Sequence, residues 1–241
     1  MAPARARPPA GDKPPARDKP AAPSASARDR RVARALLDRC GRSFAAEAGI
    51  RLADRPAPLY QLLVLATLLS ARISGEIAVA AARELFAAGY RTPAAMSAAS
   101  WQDRVDALGR GHYRRYDERT ATMLGNAAEL LSRRWRGDLR RLHAEAGGDA
   151  GRAASLLTEF PGIGPAGTDI FLREAQAVWP DLAPHFDARV LAGAERLGLP
   201  GRPQELAALA GRSEDLPRLA AALVRVARDD RAAAEITAST G

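Results

Sequence analysis

From Arg31 onward, apolar residues recur at spacings of three and four, and strand-like alternation is hard to find. This pattern predicts an all-α chain. Residues 31–48 read as a first helix with Val32, Ala35, Leu36 and Cys40 inward. Pro56 and Pro58 then break the chain. Residues 58–71 are apolar nearly all round, the mark of a helix buried on most sides. Residues 75–88 form another helix, ending before Gly89. Thr92 is placed to cap a short helix that starts at Pro93, and Ser100 to cap the next. Residues 117–135 are amphipathic, with Met123, Leu124, Ala127, Leu131 and Trp135 on one side. Helices over 152–160, 166–179, 187–198, 204–210 and 214–230 complete the set, and no internal repeat is evident.

Composition adds limits. The 241 residues are 47% hydrophobic but only 5% aromatic, so the core must be built from Ala, Leu and Val. The longest apolar run, residues 62–69, falls well short of the ~18 residues that span a bilayer. The expectation is a soluble intracellular protein with no membrane partner. Cys40 is the only cysteine, which excludes an intrachain disulfide framework and a cluster held by four thiolates. His112, His143 and His185 show no metal-ligand spacing, so no metal site from side chains is expected.

Charge is concentrated at one end. The net charge is +8, yet the first 31 residues hold eight basic groups against Asp12, Asp18 and Asp29. That Pro/Ala-rich stretch, residues 1–30 as a unit, reads as a disordered basic tail. Two roles stay open for it: a nucleic-acid tether acting through counterion release, or a solubilising extension. Both lysines, Lys13 and Lys19, lie there; every other basic residue is an arginine. The arginines at 133, 134, 136, 140 and 141 follow a helix end, where cations complement the helix dipole.

The informative segment runs from Leu156 to Thr168, LLTEFPGIGPAGT. A short helix passes through Pro161-Gly162-Ile163-Gly164 directly into a second. Glycines at 162 and 164 admit unusual backbone angles and leave the N–H groups open to a phosphate. Pro165 suits the first position of the next helix, whose positive end would face that phosphate. Ile163 would plug the turn into the core. This segment resembles the helix-hairpin-helix motif of the base-excision DNA glycosylase superfamily, the endonuclease III-like fold. Three further segments resemble that family in order: LYQLLVLATLLSAR at 59–72, YRTPAAMS at 90–97 and FDARVL at 186–191. Together they cover roughly residues 56–200.

The resemblance implies a two-lobed all-α fold: a helical-barrel lobe over 56–160, and a second lobe of 31–55 plus 161–241, within one glycosylase-like domain of 31–241. It implies a monomeric, cytoplasmic base-excision repair enzyme, nucleoid-associated when bound to DNA, acting on double-stranded DNA with a damaged or mispaired base. Asp187 maps to the family's catalytic carboxylate, and Gly162, Ile163, Gly164 and Arg72 to its DNA contacts. A carboxylate stabilises the positive sugar formed as the base leaves and can orient or deprotonate water. Asp187 equally fits a helix N-cap, and the two roles can coexist. Bifunctional members carry a lysine at the position of Ala166, and no lysine follows residue 31 here, so lysine-dependent lyase chemistry is not expected. The expectation is therefore a monofunctional glycosylase without cofactor or iron–sulfur cluster, though a monovalent cation at the hairpin carbonyls fits the resemblance. A non-catalytic DNA-binding protein on the same scaffold is the alternative. Tyr113 and Tyr116, amid Arg110, Arg114 and Arg115, read either as nucleic-acid contacts or as a plain surface loop. His185 reads as structural.

Overall fold

The computed structural model describes residues 26–240, which form fourteen α-helices and no strand. Helix α1 (Ala27–Cys40) opens on a capping box: Ser26 Oγ accepts the Asp29 N–H and the Asp29 carboxylate accepts the Ser26 N–H. The helix thus starts ahead of the expected residue 31, and residues 27–30 belong to it rather than to a tail. The rest of the expected tail lies outside the described residues. The single helix expected over 31–48 is instead two. It breaks at Gly41, and a short α2 (Phe44–Glu47) restarts from the Ser43 cap.

Helix α3 (Pro56–Ser70) is buried over Leu59–Tyr60 and Leu62–Leu68, as its apolar surface requires. On it pack α4 (Gly75–Ala87) and α7 (Asp117–Trp135), and on α7 pack α5 (Pro93–Ala98) and α6 (Trp101–Arg110), with Thr92 and Ser100 as caps. The buried Arg104 joins three of them. It donates to the carbonyls of Met96, Ala99 and Ala121, and Gly125 leaves the room: a Cβ there would stand 2.9 Å from Nη2. Helix α8 (Leu139–Ala146), unforeseen in the sequence, starts from the Asp138 cap. Then follow α9 (Ala150–Leu157), α10 (Pro165–Ala175), a 3-10 turn at Pro180–Leu182, α11 (Ala188–Arg196), α12 (Pro203–Ala210), α13 (Leu216–Val226) and α14 (Asp230–Ala238).

Two apolar cores form. The first surrounds α3 and runs from Ala45 to Leu182; the second joins α1 to α11–α14, from Phe186 to Ile236. The division differs from the expected 56–160 lobe. Ile163, Ile170, Phe171 and Trp179 all belong to the first core, because α10 lays its apolar side on α3. Each such side chain, fully buried, contributes about 1.5–3 kcal/mol. Helix α10 also packs on α13, so it is shared between the two halves. Its fully buried Glu174 accepts the Phe44 N–H at 2.9 Å and pins the start of α2. Burial pushes that carboxyl above its ordinary range, against hydrogen bonds from Ser43, Phe44 and Ala45. In the second half α11 and α13 cross closely: a Cβ on Gly193 would lie 2.0 Å from the Leu223 carbonyl oxygen. Among the described residues no helix is long and apolar enough to cross a membrane.

Candidate functional site

The hairpin between α9 and α10 is anchored from four sides. Phe160 stacks on Trp135 at 5.4 Å between centroids, and Ile163 is 4% exposed in the first core. Ser70 Oγ lies 2.7 Å from the Thr67 carbonyl and 3.1 Å from the Gly162 carbonyl and bridges the two, and Glu159 pairs with Arg134. The two glycines differ. Gly162 has φ +87, and a Cβ there would stand 3.0 Å from Thr67 Cγ2 and 3.1 Å from Met123 Sδ, so glycine is required from inside the fold. Gly164 has φ −102 and ψ −168, ordinary extended backbone, and open space where a Cβ would be. The unusual backbone expected at both positions is therefore present at Gly162 alone. What Gly164 supplies is access. It is exposed and it begins α10 with no side-chain cap, so the first-turn amides of the helix are left to an outside acceptor.

Ser70 also borders a groove of about 750 Å³ lined by Arg72, Ile73, Ser74, Ala188, Arg189 and Arg228, with no carboxylate on its walls. Arg72 is exposed in the loop after α3. Arg72, Arg189 and Arg228 form no ion pair among the described residues. Arg189 and Arg228 were not singled out in the sequence. They lie 39 residues apart and only the packing of α11 on α13 brings them to one wall.

The groove continues between the two halves into a cleft of about 700 Å³ lined by Phe44, Leu69, Ile170, Arg173, Val224 and Arg225, among others. Asp187 caps the start of α11, immediately before groove residues Ala188 and Arg189. Its Oδ1 accepts the Val190 N–H at 3.2 Å, so the N-cap role read from the sequence is present. The loop before it is held by the fully buried Gln176, which accepts the His185 N–H at 2.9 Å and donates to the His185 carbonyl at 3.3 Å. Arg173, invisible as a site residue in the sequence, brings Nη1 within 4.0 Å of Asp187 Oδ1; the two side chains are 7% and 9% exposed. Arg173 Nε donates to the Asp169 carbonyl, but Nη1 has no hydrogen-bond acceptor. Burial pulls the Arg173 pKa down, and Asp187 and Glu174 pull it back up. A guanidinium starts high enough to stay charged.

The remaining sequence candidates divide. Ala166 stands half-buried in the first turn of α10. Tyr113 is fully buried, its hydroxyl 3.5 Å from Thr120 Oγ1, so it cannot stack on a base; Tyr116 packs half-buried on the first core. His185 Nε2 faces Asp169 Oδ1 at 3.0 Å rather than Asp187. In the arginine cluster, Arg134 bridges Glu145 and Glu159 and lies over the Trp135 ring, while Arg140 pairs with Asp138. These two support the hairpin and a helix start. Among the described residues no group of three or more His, Cys, Asp or Glu is arranged to hold a metal ion. The carbonyls of Phe160, Gly162 and Gly164 accept from Ile163, Ser70 and Thr168.

No family model matches the chain, and no curated protein matches it. Among solved structures, the chain is similar to a trapped endonuclease III–DNA covalent intermediate, an estranged-adenine complex. The likeness covers 78% of this chain and 83% of that one, at 17% identity and a TM-score of 0.44.

Proposed function

We propose that this protein binds duplex DNA and hydrolyses the bond between a flipped base and its sugar. One observation carries the reading. The carboxylate-free arginine groove lies between the hairpin and Asp187: its wall residue Ser70 is bonded to the hairpin turn ahead of the uncapped α10, and its wall residues Ala188 and Arg189 directly follow the Asp187 carboxylate. The four sequence segments that resemble base-excision glycosylases support it. In this reading Gly164 and the first-turn amides of α10 hold a phosphate, while Arg72, Arg189 and Arg228 follow the backbone. The base leaves the stack and enters the cleft. Asp187 stabilises the positive charge that gathers on the sugar and accepts a proton from the attacking water. With Ala166 in the lysine's place, no amine in the described chain can form a Schiff base, so the reaction stops at an abasic site.

A second reading has its own observation. Asp187 is largely buried, caps α11 and lies 4.0 Å from a buried guanidinium, which suits a purely structural carboxylate on a DNA-binding scaffold. Base release from a panel of damaged and mispaired duplexes, with abasic sites revealed by alkali, separates the two. Under the first, Asp187→Asn abolishes release and spares most DNA binding, because an amide still caps the helix. Full activity in Asp187→Asn, or no release of any base by the wild type, would sink it.

A further inference from the structure

Arg173 has no part in the reaction as described so far, yet it is the most demanding group in the cleft. A buried guanidinium offers donors only, and one left without an acceptor is costly. Nη1 lacks an acceptor, and the nearest carboxylate oxygen, on Asp187, is 4.0 Å away. The charges nearest Arg173 are Asp169 and Glu174 on its own helix and Arg189 on α11; Asp169 is engaged by His185, Glu174 accepts from Phe44, and the cleft walls further carry Arg228, Glu76, Asp229 and Glu47. The cleft's other inner guanidinium, Arg225, is already held by the carbonyls of Cys40 and Arg42 and by Glu47. Arg225 also covers the Phe44 ring at 4.5 Å, so the one aromatic face of the cleft is taken by a cation.

We infer that Arg173 donates to the departing base, and that the cleft serves neutral bases that leave as anions rather than cationic, alkylated bases that leave neutral. The inference rests on the glycosylase reading. The bond between sugar carbon and base nitrogen breaks with both electrons going to the base. The water oxygen bonds to the sugar carbon, its proton passes to Asp187, and the base anion later takes a proton from solvent. Asp187 and Arg173 then meet the two charges that bond breaking creates, the carboxylate the sugar cation and the guanidinium the base anion. A base that is already cationic creates no anion and gains nothing from Arg173. Neither can it stack on the covered Phe44.

The test is single-turnover release of uracil, 5-fluorouracil and 7-methylguanine from otherwise identical duplexes, each rate divided by its uncatalysed rate. Wild type, Arg173→Gln and Arg173→Lys are compared, with circular dichroism to confirm folding. The wild type should accelerate uracil release most. Arg173→Gln should slow uracil about a hundredfold, and 5-fluorouracil, whose anion is more stable, markedly less; Arg173→Lys should restore part of the loss. A structural role would slow both pyrimidines equally, and that result overturns the inference, as does greater acceleration of 7-methylguanine. Release of 7-methylguanine alone would leave the glycosylase reading standing, whereas release of nothing from the wider panel would remove both.

Discussion

The Ser70 hydroxyl is shared between the carbonyls of Thr67 and Gly162 and so ties the end of the most buried helix to the turn of the hairpin. The turn's shape is therefore set from within, by Ser70, Thr67 and Met123, while its outer edge at Gly164 is free. The two glycines should separate in experiment. Gly162→Ala strains a φ of +87 and crowds Thr67, and should lower stability by about 1–3 kcal/mol in urea unfolding. Gly164→Ala should leave the urea midpoint unchanged and weaken duplex binding, because its methyl group stands where a phosphate would approach. Equal stability losses would refute the division.

Arg189 and Arg228 should each count in the salt dependence of DNA binding as Arg72 does. Replacing any one by Gln should reduce the slope of log affinity against log salt by about 1, uniformly across duplex sequences. Arg134→Gln should leave the slope alone and cost stability instead, since that side chain joins Glu145 and Glu159. An unchanged slope for Arg189 and Arg228 would take the groove out of the interface.

Glu174 predicts a pH effect on folding. Burial raises its carboxyl above the value in the unfolded chain. The folded state then holds the proton over a range where the unfolded chain has released it. Stability from this group is fully present below the unfolded pKa and is lost as pH rises through the folded one. Glu174→Gln, which can still accept the Phe44 N–H, should remove that decline. It should make the protein more stable than the wild type at neutral pH, with a smaller difference near pH 4 by urea unfolding. A parallel pH profile for the two proteins would refute the assignment.

Gly193→Ala should be among the most destabilising single substitutions in the second half. The added carbon would meet a backbone carbonyl at 2.0 Å, and backbone cannot rotate aside as a side chain can. A loss above about 3 kcal/mol is expected. A thermal melt within a few degrees of the wild type would show that α11 and α13 can part without cost.

Much of this architecture is legible in the residues. The caps at Thr92 and Ser100 follow from side chains that act within one turn of their own position, and the bounds of α7 from its amphipathic period. Asp187 as a cap and Ile163 as a plug follow for the same reason. Helix α8 does not show in the sequence because Leu139 and Leu142 are too few for a period to emerge, nor does α14, where only Ile236 is fully buried. The two cores do not divide at the hairpin, because the hairpin punctuates the chain locally, whereas α10 chooses its neighbours by apolar surface. Tyr113 beside three arginines looked exposed by composition, but it lies fully inside. Arg173 and the Arg189–Arg228 wall could not be read at all. An arginine's burial and the company it keeps are set by residues far along the chain, and no spacing encodes them.

Helix α10 lies between the two cores, with α3 on one side and α13 on the other. Its backbone amides can reach water only if both halves loosen together, whereas the amides of α1 or α5 need only one. In hydrogen–deuterium exchange the middle of α10 should thus be the last segment to label, at a rate set by complete unfolding. The hairpin would then be mounted on the least yielding element of the molecule, and a phosphate gripped at its tip would meet a site that scarcely moves.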